Sequence, residues 1–598
     1  MSRSIVQVFE EYQKARVQFV QTVADLSSRP QNIETLHSAG VMSLLRPLLL
    51  DNVPSIQQTA ALALGRLASH SEELAEAVVT QEILPQLAHS VAQQNRFYKR
   101  SAAFVIRAVS KHSAELAQAV VDSGALEALT TCLEEFDPQV KESAAWAMGY
   151  IGRHSESLAQ AVVDSGALPL LVLCFQEPEL PLKRISASAL SDIAKHSPEL
   201  AQVVCDVGAV PLLAKEITHV DAALKRQVCA CLGKIATHSV DLAEIVVEAE
   251  IFPKILHCLK DPDEVVRKNA ATCIREIVRH TQDLAKFVVN AGGVAALIDN
   301  ITDARGNNRL PGIMALGYIA AFSETLALAI IVSKGIPPLK QALVEELEDH
   351  LKAAAAWTFG QIGRHTPDHA MAVAEADVLR KLLRIHLDPK ASDDLQTKTK
   401  RALKSILQKC THLAALEPLL NEAPPPILKY VVQQYAKVLP NDVQGRRSFV
   451  QSGGLEQLLR IRNSEAGTSI ADYVEEITEL YPREIVNYYS PGYSEGWTTA
   501  PCHCVLNLTI GARMVQLLSN LNSLSISTEA TSLCNAGSAA ACTRVVCPLT
   551  VYSSMKKVSE WTRSIRVYSL GFSFQIRDSQ VLSGTLLWAA SRVIRHGR

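Results

Sequence analysis

The chain has 598 residues, of which 48% are hydrophobic, 5% are aromatic and 20% are charged, and its formal net charge is −2. This composition excludes a disulfide-built or low-complexity disordered protein and favours closely packed helices rich in Ala, Leu and Val. The first 495 residues carry 49 basic and 58 acidic side chains. This mildly acidic body lacks the concentrated basic surface that nucleic-acid binders usually show.

Residues 1–27 are predicted to form a helix that caps one end of the fold. Charged side chains such as Glu10, Lys14 and Arg16 interrupt this segment, so it lacks the apolar run of a signal peptide. No stretch of 18 uncharged apolar residues occurs elsewhere, so no transmembrane helix is expected. We therefore expect a soluble protein of the cytoplasm.

Histidines with a fixed spacing mark the segment from residue 28 to residue 409. Six of them stand 42 residues apart without an insertion, and a seventh, His365, follows after a one-residue slip. The six are His70, His112, His154, His196, His238 and His280. A period of this length is typical of stacked helical repeats, which bury their cores against their neighbours. The pattern predicts about eight clear repeats and up to ten.

Each repeat is predicted to contain three helices. A Ser or Thr follows each histidine and can accept the amides that open a short helix, as in Ser197-Pro198-Glu199. Twelve residues after most histidines a glycine can end that helix in a left-handed conformation. Glu82 and Glu250 interrupt this glycine series.

A periodic histidine also suggests a metal ligand. Neighbouring packed helices lie about 8–10 Å apart, whereas a metal ion needs ligands at about 2 Å. We therefore interpret the histidines as helix-end residues that form hydrogen bonds between units. No metal, cofactor or catalytic residue is predicted.

Three helices in 42 residues, with segments such as GALEALTTCL and AAWAMGYIG, resemble the armadillo repeat over about residues 28–459. The resemblance implies an all-α, right-handed superhelical solenoid whose long helices line a groove. Segments such as QQTAALALGRLA, KRISASALSDIAKHSPELAQ and AAAAWTFGQIGRHTP are further similar to armadillo proteins of the axonemal central apparatus, over about residues 6–494.

The second resemblance implies a non-enzymatic, protein-binding scaffold in the axoneme of motile cilia and flagella. Such a protein would be needed for central-apparatus integrity and for sperm and ciliary motility. The implied partners are other central-apparatus proteins and axonemal microtubules, and copies of the chain could associate end to end. Neither nucleic acid nor a membrane is an expected partner. The alternative function is an adaptor that carries peptide segments in its groove for transport or signalling.

Armadillo proteins that carry nuclear-localisation peptides use a Trp, and four residues later an Asn, on successive groove helices. Here no Asn stands at those positions and two tryptophans remain, so classical nuclear import is disfavoured. The residues expected to line the groove and contact partners are Arg66, Trp146, Tyr150, Asp192, Lys234, Glu276, Tyr318, Trp357 and Gln361.

The repeat pattern weakens towards the C-terminus. Residues 410–494 are predicted to form divergent repeats and a cap, and residues 495–598 do not match the family. This extension is either disordered or an alternative terminus with its own partner, or it is the translation of an unrelated exon or intron. The last interpretation is favoured because the segment has neither a helical period nor the composition of a solvated linker. Cys502-His503-Cys504 lacks the spaced second pair of a zinc site.

Overall fold

Helices joined by short loops account for the described part of the chain in a computed structural model, which covers residues 2–91, 94–462 and 470–490. All of these residues belong to one unit, Met1–Thr498, and none of them forms a strand. The predicted extension, residues 495–598 with its Cys502-His503-Cys504 segment, lies outside the described residues.

The helices follow one another in chain order, with short 3-10 helices at Arg46–Leu50, Gly306–Asn308 and Leu439–Asn441. The α-helices are α1 (Ser2–Leu26), α2 (Pro30–Ser38), α3 (Val41–Leu45), α4 (Pro54–Ala68), α5 (Glu72–Thr80), α6 (Ile83–Val91), α7 (Arg96–Ser110), α8 (Ala114–Asp122), α9 (Ala125–Leu133), α10 (Pro138–Gly152), α11 (Glu156–Asp164), α12 (Ala167–Gln176), α13 (Leu180–Ala194), α14 (Pro198–Asp206), α15 (Ala209–Glu216), α16 (Ala222–Ala236), α17 (Val240–Glu248), α18 (Lys254–Cys258), α19 (Glu264–Val278), α20 (Gln282–Asn290), α21 (Gly293–Asp303), α22 (Leu310–Phe322), α23 (Glu324–Val332), α24 (Ile336–Glu345), α25 (Asp349–Gly363), α26 (Pro367–Glu375), α27 (Val378–Leu387), α28 (Asp393–Leu407), α29 (Leu413–Glu422), α30 (Pro425–Val438), α31 (Val443–Gln451), α32 (Gly454–Arg462), α33 (Ala471–Glu479) and α34 (Arg483–Tyr489).

Two short helices and one long helix make up each repeat. In the repeat formed by α8, α9 and α10, the helices have 9, 9 and 15 residues. Nine such triplets run from α2 to α28, each long helix packing against the next long helix along the chain. The all-α solenoid of three-helix repeats predicted from the sequence is therefore confirmed, and its right-handed superhelical twist stays a prediction.

Hydroxyl side chains begin the first short helix in eight of the nine repeats, as predicted, whereas α2 begins after Arg29 without a side-chain cap. The Ser155 Oγ accepts a hydrogen bond from the Leu158 amide at 3.2 Å and satisfies one of the free amides at the helix start. The same contact recurs at Ser71, Ser113, Ser197, Ser239, Thr281, Ser323 and Thr366.

The turn between the two short helices requires a left-handed residue. Gly124, Gly166 and Gly208 have φ of 76°, 75° and 76°, as the sequence predicts. Glu82 and Glu250, which interrupt the glycine series, keep the same conformation with φ of 54° and 55°. The packing of the repeat therefore holds the turn in place even where the side chain disfavours it.

The histidines form a ladder of hydrogen bonds between repeats. The His196 Nε2 donates to the Gly152 carbonyl at 2.8 Å, which is the last residue of the preceding long helix. His112, His154, His238, His280 and His365 make the equivalent contact at 2.6–2.8 Å. Each histidine thus satisfies a carbonyl that a helix end leaves without an intrahelical partner. The predicted bonding between units is confirmed.

A second ladder, made of ion pairs, has the same 42-residue period and was missed in the sequence. The Lys141 Nζ lies 2.7 Å from Glu177, and the Lys183 Nζ lies 2.8 Å from Glu216. Other ion pairs also join a long helix to the loop or helix end of the following repeat. They include Lys99–Glu135, Lys225–Asp261 and Arg309–Glu346. Beside this series, Arg226 bonds to Asp263 and lowers the pKa of that carboxyl to about 2. The signal was present as cations at positions 99, 141, 183 and 225.

Replacing a strained glutamate by glycine should stabilise the solenoid. Glu250→Gly relieves a left-handed conformation that costs an L-residue about 1–2 kcal/mol, while glycine adds entropy to the unfolded chain. We expect a net increase in the free energy of unfolding of about 0.5–1 kcal/mol, measured by urea unfolding. Gly208→Glu, at the equivalent position 42 residues earlier, should lower it, because the φ of 76° there strains an L-residue, whereas an added Cβ would meet no neighbouring atom. Equal effects of both changes would contradict this account.

Removing one histidine of the ladder should destabilise the fold. His196→Ala leaves the Gly152 carbonyl without its donor, and we expect a loss of about 1–2 kcal/mol in the free energy of unfolding. His70→Ala, an exposed histidine at the same repeat position, is the matched control and should cost less than about 0.5 kcal/mol. Similar losses for both variants would contradict a specific role of the ladder bond.

The same histidines should make stability depend on pH. Burial lowers the pKa of His196 and of His365, against the weaker opposing effect of their carbonyl partners. The unfolded chain therefore binds more protons than the folded chain near and below the ordinary histidine pKa of about 6.5, so stability should fall as the pH drops through this range. His196→Ala should reduce this slope in unfolding measurements at several pH values.

Candidate protein-interaction site

The positions four and eight residues before each histidine position lie on the long helices, and we call them the groove positions. Thirteen of these sixteen positions are partly exposed. They are Leu62, Arg66, Phe104, Trp146, Tyr150, Ser188, Asp192, Ala230, Thr272, Met314, Tyr318, Trp357 and Gln361. Residues four apart share one helix face. The long helices therefore present one partly exposed row of side chains in successive repeats.

Aromatic and arginine side chains form a continuous cluster across α7 and α10. The Arg107 guanidinium lies 5.4 Å from the centre of the Phe104 ring and 4.8 Å from that of Trp146. Trp146 stacks on Tyr150 at 5.5 Å, and the Arg153 guanidinium lies 5.0 Å from the Tyr150 ring. We call these five residues the aromatic cluster. Cation–π contacts hold its rings in place while leaving part of their surface exposed.

A second aromatic pair lies on α22 and α25. Tyr318 and Trp357 meet edge to face, with ring centres 5.1 Å apart. A Cβ added to Gly317 would overlap the Trp357 ring, so the ring packs directly on the glycine backbone.

In three repeats the residue before the later groove position contacts a bulky groove side chain of the next long helix. Glycine occupies this place at Gly65 and Gly317, where it leaves room for the rings of Phe104 and Trp357. In the repeat between α7 and α10 the same place holds Arg107, whose guanidinium lies over the ring of Trp146 instead. Both solutions fit a bulky groove side chain against a neighbouring helix.

Two charged groove residues are already engaged within the chain. Arg66 donates to the Ala24 carbonyl of α1. Glu276 is buried, with 3% of its surface exposed, and it pairs with Arg275 and with Arg279, whose Nη1 lies 2.6 Å away. A partner that binds at either residue would therefore compete with an internal contact, and the expected partner contacts of Arg66 and Glu276 stay a prediction.

The other polar groove residues differ in whether they already have a polar partner within the described part of the chain. Asp192 pairs with Lys195 on its own helix face at 2.9 Å. Lys234 is exposed, and no described residue forms an ion pair with it. The Gln361 Oε1 is buried, and no donor among the described residues reaches it.

The described ranges offer little support for a metal site or a reactive cysteine. There, no three His, Cys, Asp or Glu side chains are placed together as metal ligands. Burial raises the pKa of Cys132 to about 12 and of Cys174 to about 11, which disfavours their reactive thiolate forms.

Helix length bears on a membrane-spanning role. Within residues 2–91, 94–462 and 470–490, no single helix is long and apolar enough to cross a membrane. Three pairs of consecutive helices meet the length and composition test only when joined, and each pair is bent by 80–82°.

Comparisons with known families agree with this architecture. Residues 113–153 and 197–237 match the armadillo/beta-catenin-like repeat, and residues 251–281 match the HEAT repeat. A crystal structure of an engineered protein superposes with a TM-score of 0.60 at 22% identity, covering 73% of this chain and 98% of the engineered chain. At that identity the superposition shows the fold alone.

Two curated relatives are much more similar in sequence. Sperm-associated antigen 6 of Mus musculus and of Homo sapiens are each 71% identical over 493 residues, which is 82% of this chain and 97% of each relative. With that identity over nearly the whole length of both relatives, and with armadillo repeats in the fold, the chain belongs to the sperm-associated antigen 6 family of armadillo-repeat proteins.

Proposed function

We propose that this protein is a non-enzymatic scaffold of the central-pair apparatus in motile cilia and flagella. The observation that carries the proposal is the 71% identity to sperm-associated antigen 6 over 493 residues, which connects an armadillo solenoid with a sperm-related role. In this function the protein is needed for central-apparatus integrity and for sperm and ciliary motility. It resides in the cytoplasm, on the axonemal cytoskeleton.

A solenoid suits a scaffold because its repeats present many surfaces in fixed relative positions. The aromatic cluster and the Tyr318–Trp357 pair supply the residue types, Trp, Tyr and Arg, that carry most of the energy in protein interfaces. Their internal contacts hold the rings before a partner arrives, which lowers the entropy lost on binding. We therefore infer that groove residues such as Trp146, Tyr150, Tyr318 and Trp357 contact partners.

The partners in this proposal are other central-apparatus proteins and axonemal microtubules. Copies of the chain also associate end to end, and the first half of α1 supports this idea. Its apolar side chains Val8, Phe9 and Tyr12 are 62%, 69% and 60% exposed at the start of the solenoid. Exposed apolar groups that lie together favour contact with another protein surface.

The groove amide at Gln361 favours the second candidate function, an adaptor that carries peptides for transport or signalling. Its buried Oε1 has no donor among the described residues and could accept a hydrogen bond from a peptide amide. A single groove amide supports peptide binding much less strongly than a series of groove asparagines would. The scaffold therefore remains the favoured function.

The proposal can be tested in ciliated cells that express the full tagged chain. Replacing both Trp146 and Trp357 by Ala should weaken partner binding by at least roughly 30-fold, since even one interface anchor is worth about 2 kcal/mol or more. Retention on detergent-extracted axonemes, measured by quantitative blotting, should fall accordingly. Phe136→Ala, which removes a 99% exposed ring outside the groove positions, should leave retention unchanged.

Two further measurements make this test decisive. Thermal unfolding of the purified variants separates lost binding from lost folding, because a retention defect in a folded variant reports on the surface. A full chain that is absent from axonemes and shuttles through the nucleus would overturn the scaffold and support the adaptor.

A further inference from the structure

Helix α28 carries cations that have no acidic partner among the described residues. Lys400, Arg401 and Lys404 are exposed and Lys398 is partly exposed, and no described residue forms an ion pair with any of them. They lie opposite the buried face of the helix, which is formed by Leu395, Thr399, Ala402, Leu403, Ile406 and Leu407. We call the four cations the basic face.

The basic face contrasts with the long helices before it. In α10, α13 and α16 the cations near the helix start pair with acids of the following repeat, as Lys141 does with Glu177 and Arg184 with Asp221. In α28 that ladder position is held by the uncharged Gln396. Lys398 stands two residues later, and Lys400 and Lys404 stand about one and two turns later, where no acid of the ladder pairs with them.

Local sequence leaves this face strongly positive. Residues 395–416 contain five Lys or Arg side chains and no Asp or Glu, although the first 495 residues are acidic as a whole. The neighbouring helix α30 adds exposed Lys429 and Lys437. Lys404 lies 5.5 Å from the centre of the Tyr430 ring of α30, so this aromatic side chain helps to position it.

Keeping these charges together works against the stability of α28. Like charges three or four residues apart, such as Lys400 and Lys404, lie about 5–6 Å apart at their Cβ atoms and destabilise a helix. A partner with negative charges would relieve that repulsion as it binds.

We propose that the basic face of α28 binds an acidic, glutamate-rich polypeptide segment of a partner protein. The proposal rests on the proposed scaffold function and names the chemistry of one of its partners. The face from Lys398 to Lys404 is about 9 Å long at 1.5 Å per helical residue. With the neighbouring α30 about 8–10 Å away, it fits roughly six residues of extended chain at about 3.3 Å each.

The dimensions and composition of the face favour a peptide over other polyanions. Proteins that bind duplex DNA tightly contact about 6–10 phosphates, and four cations on one helix are a smaller footprint. Membrane-surface helices combine cations with exposed apolar side chains. No large apolar side chain of α28 is exposed, and its outer face instead adds the polar Thr397 and Gln408.

The test uses the full-length protein and a fluorescent peptide of eight glutamates, with binding followed by fluorescence anisotropy. The double variant Lys400→Glu with Arg401→Glu should bind about ten-fold more weakly, since two attractive contacts become repulsive. The new carboxylates stand four and three residues before Lys404, an arrangement that supports a helix. Circular dichroism should therefore show an intact fold. Higher salt should weaken binding to the wild-type protein.

The matched control reverses two exposed lysines elsewhere, Lys260→Glu with Lys286→Glu, which changes the net charge equally. It should keep binding within about two-fold, since these lysines already have acidic neighbours. Equal loss in both double variants, or no loss in the α28 variant, would overturn the proposal. Tighter binding of duplex DNA or of phosphatidylserine vesicles through the same side chains would also overturn it.

Failure of this binding site can be separated from failure of the scaffold function. An α28 variant that loses the peptide but stays on axonemes would show that the site is not needed for retention there. A wild-type chain that binds the peptide but never localises to axonemes would overturn the scaffold and leave the peptide site standing.

Discussion

The close packing of each long helix on the next is the constraint on which the whole structure depends. No repeat can bury its apolar face alone, so the core exists only where neighbours meet. Small residues allow the approach: a Cβ added to Gly149 would lie 3.3 Å from the Ala189 Cα, and one added to Gly360 would lie 3.0 Å from the Ala402 Cα. Larger side chains at these contacts would separate the helices and expose the core between them.

Two sets of polar contacts align repeats that are packed in this way. Histidines join the ends of successive long helices, and ion pairs join the long helix of one repeat to the following repeat. Both sets recur with the 42-residue repeat, and the one-residue slip before His365 leaves its bond to the Ala320 carbonyl in place. Helix α28 has the uncharged Gln396 at the ladder position. Its cations lie outside the ladder positions and are therefore free to attract a partner.

Counting residues from the histidines located the groove positions. It could not show which of these side chains are available to bind a partner. Trp146 and Trp357 are partly exposed and supported by neighbouring side chains, as a binding surface requires. Arg66 and Glu276 instead contact α1 and two arginines of α19. A sequence period shows which face a residue occupies, whereas its partners come from other repeats and depend on side-chain length and direction.

The sequence by itself determined the repeat length, the three helices of each unit and their caps, because these depend on local hydrogen bonding and on hydrophobic spacing. Family membership likewise came from the similarity of whole segments. The tertiary structure decided contacts between units, such as the carbonyls that His196 and His238 each reach 44 residues earlier. It also decided that Glu250 would adopt a conformation typical of glycine, and that Lys400, Arg401 and Lys404 would lack acidic partners among the described residues. These outcomes depend on the distance and orientation of neighbouring repeats, which no local pattern encodes.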